Sequence, residues 1–231
     1  MELSDAAAIE EWTQAQARVI ALVADLPAAD VARRVPACPD WTVHDLVAHV
    51  VGVDADVLSG DEADDHNSGW TQAQVDARAG RGIGALIEEW HGLTEPLRAW
   101  MAEHGTRPMG DVVMHEQDLR GALGTPGAHD TPAMAQLRDR FAARVADAVA
   151  EAGLPPIALV GSTWRTGPED AEVVLTASDF DLARAVQSRR SADQLRAWTT
   201  RGDVGRYLAC FETLGPLPAR PLSDGATSSP G

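Results

Sequence analysis

Lysine is missing from this chain of 231 residues: all nineteen basic side chains are arginine, set against thirty-five carboxylates, for a formal net charge of −16. So acidic a balance argues against a nucleic-acid partner, which would want a basic face. With the richness in Ala, Asp and Gly, the lack of lysine reads as the coding bias of a GC-rich bacterium and carries no chemistry. Cysteine is scarce: Cys38 and Cys210 stand far apart with no CxxC spacing. Nothing points to an oxidising compartment, so both are expected as reduced thiols. The opening MELSDAAAIEEW lacks the charged-then-apolar pattern of a secretion signal. No apolar run approaches the roughly 18 residues that a membrane span needs. The expected setting is therefore cytoplasmic, with small molecules as partners and no nucleic acid or membrane, and the expected state is a monomer or homodimer.

What the chain does have is helical periodicity followed by a change of pattern. Ser4 opens a stretch to Leu26 with Ile9, Trp12, Val19 and Val23 near helical spacing. Thr42 and Asp45 make a start signal related to the capping box, and Leu46, Val50, Val53 and Val57 then form one face. The acidic run SGDEADDHNSG ends that helix. Residues 71–103 read as mostly helical with a weak point at GRGIG, the stretch 110–124 supplies a fourth helix stopped by Gly124 and Pro126, and Pro132–Ala152 reads as a fifth. Helices joined by short connections predict an up-and-down bundle. After Pro156, IALVGSTW and AEVVLTAS are short β-branched runs, DFDLARAVQS is helical, LRAWTTRG strand-like and VGRYLACFETL helical again. The fold class is α+β, with a bundle over 1–153, a small α+β module over 154–222 and a compositionally disordered tail over 223–231. There is no internal repeat.

In GDVVMHEQDLRGALG, residues 110–124, Asp111, His115 and Asp118 fall four and three apart and share one stripe of a helix. Glu116, Gln117 and Arg120 lie opposite, as an outward face would. An Asp and a His at i and i+4 can both reach one metal ion, and a third ligand must come from another helix. His49, in DLVAHVVG, sits on the shoulder of its helix's core stripe and is the best candidate, whereas His44 projects from nearly the opposite side. From spacing alone, a solvated Asp–His pair and a packed histidine remain open as the alternative. His66, His91, His104 and His129 read as ordinary surface residues.

The segment ACPDWTVHDLVAHVVG, residues 37–52, resembles the signature of the mycothiol-dependent maleylpyruvate isomerase family. DVVMHEQDLRGALG resembles the family's second motif, and SRRSADQLRAWTTRGDVGRYLACF the end of its C-terminal domain. The likeness runs from residue 8 to about 215 and implies a DinB-like metal-binding bundle. It carries the ligand roles for a divalent metal, most often zinc, onto His49, Asp111 and His115. Asp111 stands where the founding isomerases have Glu, which is one methylene longer. Asp118 matches an Asp that would accept the N–H of a ligand imidazole, or else make a helix–helix hydrogen bond. The resemblance also implies mycothiol or a related thiol as cosubstrate, and isomerisation or S-transfer on a small electrophile. The nucleophile then arrives with the cofactor, so Cys38 is expected to be structural and Trp41 to pack at the helix entrance. Arg189 falls at a Gly-Arg step implicated in catalysis, with Ser188 in place of the Gly. Arg190 could take the role instead, or both could be a solvated basic pair. The alternative function is a non-catalytic metal-binding or regulatory protein on the same bundle.

Overall fold

The structure, a computed structural model, describes residues 2–63 and 67–223. His66 and all but Ser223 of the tail expected over 223–231 lie outside the described residues. The chain divides between Ala128 and His129 into two compact units, one helix earlier than the boundary at 153/154 read from the sequence.

The first unit contains α1 (Asp5–Val23), α2 (Ala28–Val31), β1 (Arg34–Val35), β2 (Cys38–Thr42), α3 (Val43–Ser59), α4 (Ser68–Asp76), α5 (Ile83–His104) and α6 (Arg107–Leu123). The start signals act locally as expected. The Ser4 hydroxyl accepts from the Ala7 N–H, and Thr42 and Asp45 form a reciprocal capping box at α3. Gly60, at φ +75°, ends α3 in the left-handed region that glycine enters without strain. The GRGIG weak point is the break between α4 and α5.

The four long helices pack in the cyclic order α1–α6–α3–α5, so α1 and α3, consecutive among them, sit diagonally. Trp12, Leu46, Leu86, Trp90, Leu97, Met101 and Leu119 fill the centre, all fully buried. The cyclic order makes α3 and α6 neighbours, and these are the helices that carry the candidate ligands. Helix α4 packs on the side of α3. The antiparallel pair β1–β2 occupies what the sequence offered only as a Pro-containing connection. Strands of two and five residues are too short for a period-two pattern to register.

The second unit holds α7 (Pro132–Glu151), β3 (Ile157–Val160), β4 (Arg165–Thr166), β5 (Val173–Thr176), α8 (Asp179–Val186), α9 (Ala192–Ala197), β6 (Thr199–Arg201) and a 3-10 helix (Val204–Phe211). Its sheet has the order β4-β3-β5-β6, with β3 and β5 parallel and the outer pairs antiparallel. Helix α7 belongs here because its apolar face, with Phe141, Val145 and Val149 buried, packs on α8 and the 3-10 helix. An amphipathic pattern shows that a helix has a core face, not which core receives it. LRAWTTRG is only partly a strand: a Ser191–Gln194 capping box starts α9, and β6 begins after it. Among the described residues no helix is long and apolar enough to cross a membrane.

Candidate metal centre

Four consecutive polar side chains of α6, His115, Glu116, Gln117 and Asp118, are buried. Buried polar groups destabilise a fold unless each is paired. Glu116 and Gln117, expected on an outward face, are instead fully buried. Glu116 is clamped by two guanidinium groups, at 2.8 Å from Arg18 and 2.9 Å from Arg120. The Gln117 amide donates to the carbonyl oxygens of Gly127 and Ala128 at 3.2 and 3.3 Å. This side of α6 faces α1, so a helix that reads as half solvated is enclosed on both flanks.

The other side faces α3. His49 Nε2 lies 3.7 Å and His115 Nε2 3.5 Å from Oδ1 of Asp111, and the two rings meet edge-on with centroids 5.1 Å apart. These separations exceed the 2.7–3.2 Å of an N–H···O hydrogen bond. Ligand bonds of about 2.0–2.1 Å in a tetrahedral zinc site put neighbouring donor atoms about 3.3 Å apart. The three groups therefore converge around a cation-sized gap without bonding one another. Asp111 Oδ2 is buried and has no hydrogen-bond partner among the described residues, which costs stability unless a cation takes it. Two imidazoles and a carboxylate are a suitable donor set for zinc, and the residues fit such an ion.

The far nitrogens of both rings are occupied. His115 Nδ1 is 2.9 Å from Asp118 Oδ2, and His49 Nδ1 is 2.8 Å from the amide oxygen of Gln74. Trp41 stacks at a tilt on His49, centroids 4.8 Å apart, and its indole N–H reaches Gln72. The Cys38 thiol donates to Asp118 Oδ2 at 3.7 Å. Cys38, His115 and Asp118 form a second cluster of metal-ligand type. The 2.9 Å contact within it is a hydrogen bond, shorter than two donors on one tetrahedral ion, so this cluster is support for the first. Neither cysteine is in a disulfide. His44 lies away from the cluster, its Nε2 2.6 Å from the Arg81 carbonyl. His91 and His104 are exposed. His129 is not an ordinary surface residue: it is half-buried and stacks on Phe180 at 3.8 Å.

Two groups around the cluster escaped the sequence reading. Gln74 carries no recognisable ligand pattern, and Asp54 is hidden in an apolar run. Asp54 is buried, and its carboxylate accepts from the Trp90 indole N–H at 2.7 Å. Burial, with the Asp111 charge adding to it, pushes the Asp54 carboxyl well above its ordinary range. Burial also opposes ionisation of Asp111, but the His115 and His49 charges outweigh it and hold that carboxyl well below its ordinary range. Burial alone would lower His115; the nearby Asp111 charge, with the hydrogen bond to Asp118, raises it well above its ordinary range.

In the second unit, Ser188 adopts φ +57°, the conformation for which glycine is favoured. Its hydroxyl donates to the Phe211 carbonyl at 2.9 Å and accepts from the Leu214 N–H at 3.0 Å, which holds the serine there. Arg189 and Arg190 are both buried, so neither belongs to a solvated basic pair. Arg190 places Nε and Nη2 on Asp181, at 3.1 and 2.9 Å, and Nη1 on the Arg189 carbonyl. Arg189 directs Nη1 to the Gln187 carbonyl at 3.1 Å.

A four-helix bundle with a convergent imidazole–carboxylate cluster, joined to an α+β unit, defines the class. Residues 12–108 match the family described as "Mycothiol maleylpyruvate isomerase N-terminal domain", a span that includes His49 and stops just before Asp111. Two solved structures share the fold. One, a mutant of the mycothiol-dependent maleylpyruvate isomerase, aligns with a TM-score of 0.58 at 13% identity, covering 88% of this chain and 96% of its own. The other, of the mycothiol-dependent maleylpyruvate isomerase, gives 0.56 at 13% identity, with 81% and 90% covered. No curated protein matches the chain.

Proposed function

We propose that this protein is a metal-dependent enzyme that uses a low-molecular-weight thiol, mycothiol or a close relative, for isomerisation or S-transfer on a small electrophile. The observation that carries the reading is the meeting of His49, Asp111 and His115 around the unpartnered, buried Asp111 Oδ2. The family match and the fold likeness support the thiol and the enzyme class. A divalent metal such as zinc, held by these three side chains, would supply a Lewis acid at which a thiol loses its proton near neutral pH, whereas a free thiol with pKa of about 8.5 is mostly protonated there.

The chain's own residues then bind and orient. Asp118 accepts from His115 Nδ1, so Nε2 is the nitrogen that faces Asp111. Trp41 covers one side of the His49 ring. In the chemistry the family implies, the thiolate sulfur adds to an activated double bond and the electron pair moves into the conjugated carbonyl. Rotation about the new single bond and expulsion of the thiolate give the isomer; retaining the C–S bond gives the conjugate. A carboxylated electrophile gains negative charge as it forms, and a guanidinium can stabilise that charge. The resemblance puts this role on Arg189, with Arg190 as the alternative.

Turnover is expected to require added thiol even in metal-loaded protein, measured by mass spectrometry across a panel of thiols and electrophiles. Cys38→Ser should retain most activity, since a hydroxyl can still donate to Asp118. Complete loss with metal content intact would place the nucleophile on Cys38 and end the cosubstrate reading. The alternative, a binding protein without turnover, is indicated if metal and thiol bind but no electrophile is converted. Arg189→Ala should leave metal content unchanged and, in protein still folded at the assay temperature, cut turnover by roughly 10²-fold or more, the scale for one preorganised electrostatic contact. Near-wild-type turnover in that variant would give the arginine a structural role.

A further inference from the structure

His49 and His115 turn the same nitrogen, Nε2, toward Asp111, but their Nδ1 atoms meet different chemistry. His115 Nδ1 faces the Asp118 carboxylate, which can only accept, so that imidazole has one tautomer available. His49 Nδ1 faces the amide of Gln74. An amide can accept through its oxygen or donate through its nitrogen. Turned over, Gln74 would donate to Nδ1, and the neutral ring's proton would move to Nε2, where it would block ligation.

Asp56 prevents that. The Gln74 Nε2 lies 2.7 Å from Asp56 Oδ2. A carboxylate offers no proton, so the NH2 end of the amide must face Asp56 whichever way a side chain of this shape is drawn. The oxygen end is left for His49. Asp56 lies two turns along α3 from His49 and supplies no ligand atom, yet the order carboxylate, amide, imidazole passes its hydrogen-bonding sense to the cluster. The contact depends on a close helix crossing. A Cβ on Gly52 would lie 2.5 Å from Cβ and 2.8 Å from Cγ of Gln74, so only glycine lets α4 bring this buried glutamine onto the ring.

We propose that Asp56 and Gln74 are positioning residues that lock His49 in the tautomer with Nδ1 protonated and Nε2 ready to ligate. The proposal rests on the reading of His49 as a metal ligand. The test compares wild type, Gln74→Leu, Asp56→Asn and the double variant Gln74→Glu with Asp56→Asn. Two quantities are read: the zinc dissociation constant by chelator competition, and the His49 ring tautomer in metal-free protein at pH 8 by long-range 15N–1H NMR. Gln74→Leu is expected to weaken zinc binding roughly 10- to 100-fold, the scale for losing an outer-shell partner. Asp56→Asn should weaken it in the same direction, because the amide can now turn, and should shift His49 toward the Nε2-protonated form. The double variant restores an acceptor toward His49 and a donor toward that acceptor, so both readouts should return toward wild type. That rescue would not follow from mere space filling, since Asp56→Asn already conserves shape. A wild-type tautomer and affinity in Asp56→Asn, or a double variant no better than it, would overturn the lock. A wild-type protein that binds no zinc would overturn the metal reading instead, and the tautomer spectra would still decide the lock.

Discussion

Alanine at His49 or at His115 is expected to strip the purified protein of its divalent metal, while His44→Ala keeps about one ion per chain. Four-ligand zinc sites bind with about 10–16 kcal/mol, so losing one of three protein ligands should weaken affinity by roughly a hundredfold to a thousandfold. His44 is the matched control: it lies on the same helix but bonds to the Arg81 carbonyl. Elemental analysis after reconstitution and dialysis checks this, and a wild-type protein without metal sinks the reading. The pH dependence follows from the cluster. Asp111 is held below its ordinary range and His115 above it, so without a metal they stabilise the fold as an ion pair. The Asp111 contribution is present above its unfolded value of about 3.9 and lost as pH falls through the folded one. The His115 contribution is full below about 6.5 and lost as pH rises through its raised folded value. A metal must displace the His115 proton, so binding releases protons and weakens as pH falls. The rise in melting temperature on adding zinc should therefore be larger at pH 8 than at pH 5.5. An equal rise at both would place the metal elsewhere.

Arg18→Ala is expected to destabilise the helical unit by about 2–4 kcal/mol, although it touches no part of the proposed chemistry. Removing one partner from a buried pair costs roughly 3–5 kcal/mol. Two features reduce that figure here: Arg18 is 27% exposed at the side chain, and Arg120 still holds the buried Glu116 carboxylate. The sign of the effect is testable through a second change. In Arg18→Ala with Glu116→Gln, the under-compensated charge is gone, and the penalty should be smaller than for Arg18→Ala alone. Urea unfolding of the three proteins decides it. A loss below about 0.5 kcal/mol for Arg18→Ala would show a surface-type pair instead of a buried clamp.

The parts of this fold that were legible in the sequence are those set by near neighbours along the chain. Ser4 and the Thr42–Asp45 pair announced helix starts because a cap needs only its own first turn. The GRGIG break and the strand runs after Pro156 were visible for the same reason. Asp111, His115 and Asp118 share a stripe by helical geometry alone. The Ser191–Gln194 box is equally local, but the β-branched Thr199 and Thr200 that follow it give the same run a strand pattern.

Other features depended on which surfaces meet. Helix α7 has an apolar face that either unit could have received, and only its packing on α8 and the 3-10 helix places it in the second. Glu116 and Gln117 read as solvent-facing because a polar residue's pairing partner, here Arg18 nearly a hundred positions away, is invisible to periodicity. His49 reached α6 through the cyclic helix order, and Gln74 reached His49 through the missing Cβ of Gly52. By itself the sequence determined the helices, their caps and the stripe of candidate ligands, because these rest on contacts within one or two turns. Tertiary structure alone decided which helix faces which, which polar groups are buried, and which proton each imidazole keeps, because those depend on groups brought together from distant parts of the chain.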